Sequence, residues 1–223
     1  MLLKIWGRPT STNTQRVLWT LAEADVPYEL TLASATTGAT GYAWRGHAPY
    51  GVVGTEAYQA MNPNDTVPTI DDGGFVLWES NAIVAWLARR YAPVWLYGGN
   101  EETFARALQW MIWTNHSLDP AMHTLVMHLE RLPAEQRSNA VVDAARQDAV
   151  RKLKLMEAHL ARSHWFAGDA FSIGDIPPGI SVQRFFHFDL ERPPLPRVEE
   201  WMARLRERDG FRRHVAPREK HLI

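Results

Sequence analysis

The chain has 223 residues, 24 Lys and Arg against 25 Asp and Glu, a formal net charge of -1 and no cysteine. Near-neutral charge gives no broad field to gather nucleic acid or an anionic membrane, and the missing cysteines exclude disulfides, thiolate metal sites and a cysteine nucleophile of the protein's own. The length favours two modest domains, and the longest uninterrupted apolar run, Ala82 to Ala88, is too short to cross a bilayer, so a cytoplasmic protein without membrane or nucleic-acid partners is expected.

Leu2 to Trp6 reads as a short apolar strand, ended by Gly7 and the turn and cap residues up to Asn13. Val17, Leu18, Leu21 and Ala22 then fall at helical spacing from about Thr14 to Ala24, and Val26 to Leu30 reads as a second strand. From Ala35 to Gly54 the chain is rich in Gly, Thr and Ala, with Tyr42, Trp44 and Tyr50 scattered through it, and shows no period. It reads as a long loop, of the kind that usually covers a site or is disordered. Val67 to Ile70 and Phe75 to Trp78 are short strands joined across Asp71-Asp72-Gly73-Gly74, a hairpin signal, and Glu79 to Tyr91 reads as a helix.

Residues 92–99, with Pro93 and paired Gly98-Gly99, are punctuated as a linker. Beyond them Glu101 to about Glu130, Pro133 to Leu160, Ile173 to about Phe188 and Pro196 to Arg208 carry apolar residues at helical intervals. The expected fold class is α/β plus all-α: residues 1–91 with βαβ-ββα order, and a helical bundle over 100–223. The Arg-rich stretch from Arg204 to Lys220 reads as a solvated terminal helix and tail.

Three segments stand out chemically: Asn62-Pro63-Asn64, then Thr66-Val67-Pro68-Thr69-Ile70, then Glu79-Ser80-Asn81-Ala82-Ile83. Together with the order of elements over nearly the whole chain, they resemble the cytosolic glutathione S-transferase family. The resemblance implies a thioredoxin-like first domain, glutathione as co-substrate, a cis peptide before Pro68, a role in detoxification, and a homodimer. It also implies that Val67 offers its N–H and C=O to the cysteinyl backbone of glutathione. Glu79 and Ser80 would meet the charged γ-glutamyl end, the acid accepting from its ammonium and the hydroxyl and helix N-terminus taking its carboxylate. The plainer reading is an edge-strand proline and an ordinary helix cap. Ser172-Ile173-Gly174-Asp175 also matches the family pattern, and as a variant capping box it belongs to folding.

The stretch that activates the thiol in this family is here Thr10-Ser11-Thr12-Asn13, without Tyr or Cys. Ser11-x-Asn13 followed by Arg16-Val17 is similar to bacterial members in which a hydroxyl and an amide point at the sulfur, so Ser11 and Asn13 are the candidate catalytic residues. Thr10 and Thr12 stay open by a one-residue slip. The alternative for both Ser11 and Asn13 is capping of the first helix. Trp113 and His116, on the helix from Glu101, are candidates for an electrophile pocket, although Trp and Met at helical spacing more often fill a bundle core. His116, His123 and His128 lack metal-ligand spacing, so no metal is expected.

Two features depart from the family. The loop containing Gly38 to Trp44 is longer than the family usually carries between its second strand and second helix, which leaves the contacts to the glycyl end of glutathione unassigned, and Thr66 stands where several relatives carry a basic residue. Besides conjugation, the same thiolate would serve a glutathione-dependent peroxidase or disulfide reductase, and a binding module without turnover is a further alternative.

Overall fold

The computed structural model describes residues 2–33 and 52–216. Residues 35–51 of the long loop, with Tyr42, Trp44 and Tyr50, lie outside them. The first half runs β1 (Leu3–Gly7), α1 (Thr12–Glu23), β2 (Tyr28–Leu32), α2 (Glu56–Met61), β3 (Thr69–Asp72), β4 (Phe75–Trp78) and α3 (Ser80–Tyr91). One mixed sheet results, in the order β2-β1-β3-β4, with β1 parallel to β2 and β3 antiparallel to both β1 and β4. The hairpin turns on Gly73 and Gly74, whose positive φ of 67° and 100° would strain a residue with a Cβ. α2 is absent from the sequence reading. Its six residues are too few to show a period, and Thr55 caps it by accepting from the Tyr58 N–H at 3.2 Å.

α1 joins the two halves because two of its faces are buried. Thr14, Val17, Leu18 and Leu21, spaced three and four apart, lie toward the sheet, and the last three form one core with Leu3, Ile5, Ile70, Ile83 and Leu87. Arg16, Trp19 and Glu23 occupy another face, turned to the helical half. Trp19 is fully buried there and meets Phe211 edge-on at 5.1 Å between ring centres.

The second half comprises α4 (Glu101–Trp113), α5 (Asp119–Val126), α6 (Asn139–Leu160), α7 (Ile176–His187), α8 (Pro196–Arg206) and α9 (Asp209–His214). The expected single helix from Glu101 to about Glu130 is widened by two π-helical turns, Thr114–Leu118 and Met127–Arg131. At the first, the Asp119 N–H reaches back to the Thr114 carbonyl, and Pro120, which has no N–H, follows. Ser172 and Asp175 form the expected capping box ahead of α7. The Asp175 carboxylate accepts from the Ser172 N–H at 3.0 Å, the Phe166 N–H at 3.1 Å and Trp201 Nε1 at 3.0 Å. Burial pushes its pKa up to about 6, against the opposing pull of those donors.

The solvated-tail reading of the Arg-rich end is corrected over its first part. Leu205, Gly210, Phe211 and Val215 are buried. A Cβ on Gly210 would come within 2.5 Å of Trp19 Cδ1, so only glycine lets α9 approach α1 this closely. Arg208 makes a forked pair with Glu23 at 2.9 and 2.7 Å, and Glu23 also accepts from Trp19 Nε1 at 2.7 Å.

Candidate active site

Strand register brings the three motif segments to one end of the sheet. Trp6 of β1 pairs with Thr69 of β3, and Thr69 pairs with Trp78 of β4. The chain leaves this row from β1 toward Ser11, enters it at Val67-Pro68, and leaves it again at Glu79-Ser80. Pairing ends at Thr69, so β3 starts later than the sequence suggests and Val67, half-buried, lies beyond the ladder. The Val67-Pro68 peptide is cis.

The approach to Val67 is held by buried polar groups. The Tyr58 hydroxyl donates to the Thr66 carbonyl at 2.7 Å, the Asn62 amide donates to the same oxygen at 2.9 Å, and both reach Thr69 Oγ1, at 2.8 and 3.0 Å. Asn62 and Tyr58 are fully buried, and burial raises the Tyr58 pKa. The Asn62-Pro63-Asn64 motif thus acts on the backbone next to the candidate glutathione-binding strand.

Ser11 is the N-cap of α1, its Oγ accepting from the Thr14 N–H at 3.4 Å. Capping and thiol activation are compatible, because the cap occupies a lone pair of the hydroxyl and leaves its O–H to donate. Asn13, in the first turn, has its amide oxygen 3.4 Å from Ser80 Oγ and accepts the Ser80 hydrogen. Two residues 67 positions apart in sequence are thereby joined.

Glu79 departs from the capping alternative. It stands before α3 with φ 71° and ψ 110°, and no side chain caps that helix. Such backbone costs a non-glycine residue about 1–3 kcal/mol and concentrates at ligand sites. The first-turn N–H groups of a 12-residue helix, at its positive end, are left without a side-chain cap. Ser80, 6% exposed, opens that helix, while Glu79 is exposed.

Arg16 is the site residue that the sequence reading left without a role. It is 1% exposed, and its Nη1 lies 3.3 Å from Ser80 Oγ, from Asn81 Oδ1 and from Asn115 Oδ1, while its Nη2 pairs with Asp119. Asn81 in turn donates to the Met111 carbonyl at 3.1 Å, so this polar cluster ties both halves together under α3.

Trp113 turns its ring edge-on to Trp110 at 5.1 Å and packs against the helical core. His116 is exposed on the first π-helical turn. Among the described residues no hydrogen bond or ring contact joins either to Ser11 or Ser80. Asn115, between them, is the member of that turn that reaches the cluster. A separate cleft lined by Arg106, His159, Arg162 and Phe166 lies in the helical half and includes none of these groups. Among the described residues, no His, Asp and Glu side chains gather in a group able to hold a metal ion, and no helix is long and apolar enough to cross a membrane.

Comparison with known proteins gives the family. Residues 10–90 match the glutathione S-transferase N-terminal domain and residues 117–209 the C-terminal domain. Glutathione S-transferase GstB of Escherichia coli K12 is 35% identical over 216 residues, 96% of this chain and 98% of that protein. Glutathione S-transferase 4 of Zea mays is 32% identical over 79% of this chain and 74% of its own length. A theta class glutathione S-transferase from Xanthomonas axonopodis pv. citri, solved with glutathione bound, superposes with a TM-score of 0.85 at 37% identity, covering 96% of this chain and 97% of that one. On two domain matches in the right order and on relatives aligned nearly end to end, the chain belongs to the glutathione S-transferase family.

Proposed function

We propose that this protein is a glutathione transferase that binds glutathione across the end of its sheet and presents the sulfur, as thiolate, beside Ser11 and Asn13. The observation that carries the reading is the convergence at one end of the sheet of the Ser11 cap, the strand end at Val67-Pro68 and the uncapped start of α3. Val67, outside the ladder, has backbone groups for the cysteinyl residue of glutathione. Glu79 and the first turn of α3 offer opposite charges to the γ-glutamyl ammonium and carboxylate.

A free thiol titrates near about 8.5, so little of it is thiolate at neutral pH. Lowering that by about two units takes about 2.7 kcal/mol. One hydrogen bond to the anion supplies about 1.5–3 kcal/mol and the N-terminus of α1 about 0.3–1 kcal/mol. The Ser11 hydroxyl, the Asn13 amide and the helix therefore suffice without a general base. The thiol proton leaves to solvent, the sulfur forms its bond to the electrophilic carbon, and on an aryl halide the halide departs with the bonding pair. His116, exposed beside Asn115, is kept as the candidate for contact with an electrophile, whereas Trp113 is given to the core.

The reading extends to cytoplasmic detoxification and a two-fold homodimer. Phe75 and Val76 on β4 and Ile112 on α4, 45%, 37% and 54% exposed, are apolar residues suited to a subunit contact. Calorimetry with glutathione and its disulfide, followed by conjugation of an aryl halide and light scattering, tests the whole. Folded protein that ignores both thiol and disulfide would sink it.

A further inference from the structure

The cleft in the helical half has a volume of about 400 Å³ and opens between α4 and the segment that follows α6. Arg106, from α4, and Arg162, just past the end of α6, both line it. Both are exposed, and among the described residues neither side chain makes an ion pair or a hydrogen bond. Two like charges in one small cleft repel, and no acid in its lining offsets them. A cation near the carbonyl end of α6 is favoured by the helix dipole, which accounts for Arg162 but not for Arg106, contributed by another helix. The wall is held in place. The His159 ring lies parallel to that of Phe166, 8° between planes and 5.4 Å between centres, and 4.7 Å from that of Trp110, which shares a face of α4 with Arg106. The turn forming the rim is pinned twice: the Ser163 hydroxyl donates to the carbonyls of Trp165 and Gly168 at 2.7 and 3.0 Å, and the Phe166 N–H donates to Asp175 at 3.1 Å. Burial lowers the pKa of His159 against the pull of the Trp165 and Phe166 carbonyls, so its ring is neutral at pH 7 and the charge of the cleft belongs to the two arginines. His159 Nε2 is sealed from water without a well-formed hydrogen bond, and such an atom in a native wall points to a partner from outside the chain.

We propose that this cleft is a second ligand site, apart from the one at the end of the sheet, which takes the carboxylate of a small organic acid between Arg106 and Arg162 and its apolar body against the wall at Phe166 and Ala167. The planar fork of a guanidinium matches a carboxylate, and two such forks without acidic partners are free to turn toward one. The volume falls in the range of pockets for small organic molecules, about 300–1,000 Å³, and a bare inorganic ion would leave most of it to water. Phe166 and Ala167 are buried at 1% and 3% exposure, so the apolar side of the cleft is part of the helical core and is formed before any ligand arrives. A Cβ on Gly168 would meet no atom within 4 Å, which leaves the rim open for entry there. All the groups of the site come from one chain, so it needs neither glutathione nor a second subunit.

The test is calorimetric titration of the full-length protein with benzoate, run with and without saturating glutathione, and with benzyl alcohol and inorganic phosphate as companion probes. Benzoate is expected to bind once per chain and alike in both runs, and the alcohol and phosphate about tenfold more weakly, since each lacks one half of what the cleft offers. Arg106→Gln and Arg162→Gln alter exposed side chains, so both variants are expected to melt as the natural protein does and to weaken benzoate about three- to tenfold each. Arg151→Gln, which removes an exposed arginine of α6 paired with Asp148 and outside the cleft, is expected to leave benzoate binding unchanged. Binding that disappears when glutathione is present, or that weakens as much in Arg151→Gln as in the cleft variants, overturns the site, as does a failure of benzoate to bind. Phosphate or benzyl alcohol binding as tightly as benzoate overturns the organic acid as its ligand.

Discussion

Replacing Ser11 removes two contributions that a suitable pair of variants separates. The first is the cap on α1, made through the Thr14 N–H at 3.4 Å, whose loss in Ser11→Ala costs about 1 kcal/mol of stability. The second is one donor to the thiolate, worth about 1.5–3 kcal/mol, or about one to two pKa units. If the bound thiol titrates near about 6.5 in the natural protein, a rise to about 8 takes the ionised share at pH 7 from about three quarters to about one tenth. Conjugation in Ser11→Ala should then fall by about one decade at neutral pH, about one and a half at the upper end of the range, and recover above about pH 9. Ser11→Asp divides the effects, since aspartate caps a helix as well as serine does but, ionised, has no hydrogen to give and repels the thiolate. It should melt close to the natural protein and conjugate more slowly than Ser11→Ala at neutral pH. The assay is aryl halide conjugation at saturating glutathione from about pH 6 to about pH 10, with a thermal melt of each variant. Full activity in Ser11→Asp, or a loss in Ser11→Ala that is equal at every pH, would show that Ser11 only caps the helix.

Asp175→Ala strands three buried donors, those of Phe166, Ser172 and Trp201, and should cost about 3–5 kcal/mol in chemical denaturation; a loss below about 1 kcal/mol would mean that the site relaxes or admits water. The Asp175 carboxyl is raised in the fold to about 6 from 3.8, so the folded state holds its proton longer than the unfolded chain. Its contribution to stability therefore declines as pH rises from about 4 to about 6 and is flat above, by up to about 3 kcal/mol, and this slope should be absent from Asp175→Asn, so that the difference between natural protein and variant carries it across that window. Gly210→Ala drives a methyl into Trp19 and should destabilise by about 1–3 kcal/mol at unchanged denaturant slope, with an unshifted midpoint contradicting the close packing of α9 on α1.

What the sequence made legible was chemistry confined to a few neighbouring residues. Asp71 to Gly74 announces a hairpin because two glycines tolerate positive φ, and Ser172 to Asp175 announces a cap because its partners are three residues apart. Val67-Pro68 and Glu79-Ser80 were readable as motifs, and the register of three strands then explains why they meet. Arg16 was opaque for the opposite reason: its acceptors Ser80, Asn115 and Asp119 lie 64, 99 and 103 positions away, and no local pattern marks a buried charge. The end of the chain misled because Gly210 and Phe211 are surrounded by arginines, so their burial shows in no periodicity. Trp113 is ambiguous in sequence for a physical reason, since a ring that fills a core and one that lines a cavity carry the same spacing.

A helix that supplies side chains to two hydrophobic interiors makes neither of them autonomous. Cut off after α3, the first 91 residues would leave the indole of Trp19 and the guanidinium of Arg16 facing water, and the remainder would lack the ring on which Phe211 rests. Melting of the intact chain should accordingly be a single cooperative event, and a chimera that exchanges helical halves between relatives must carry the outward face of α1 along with the transplanted half.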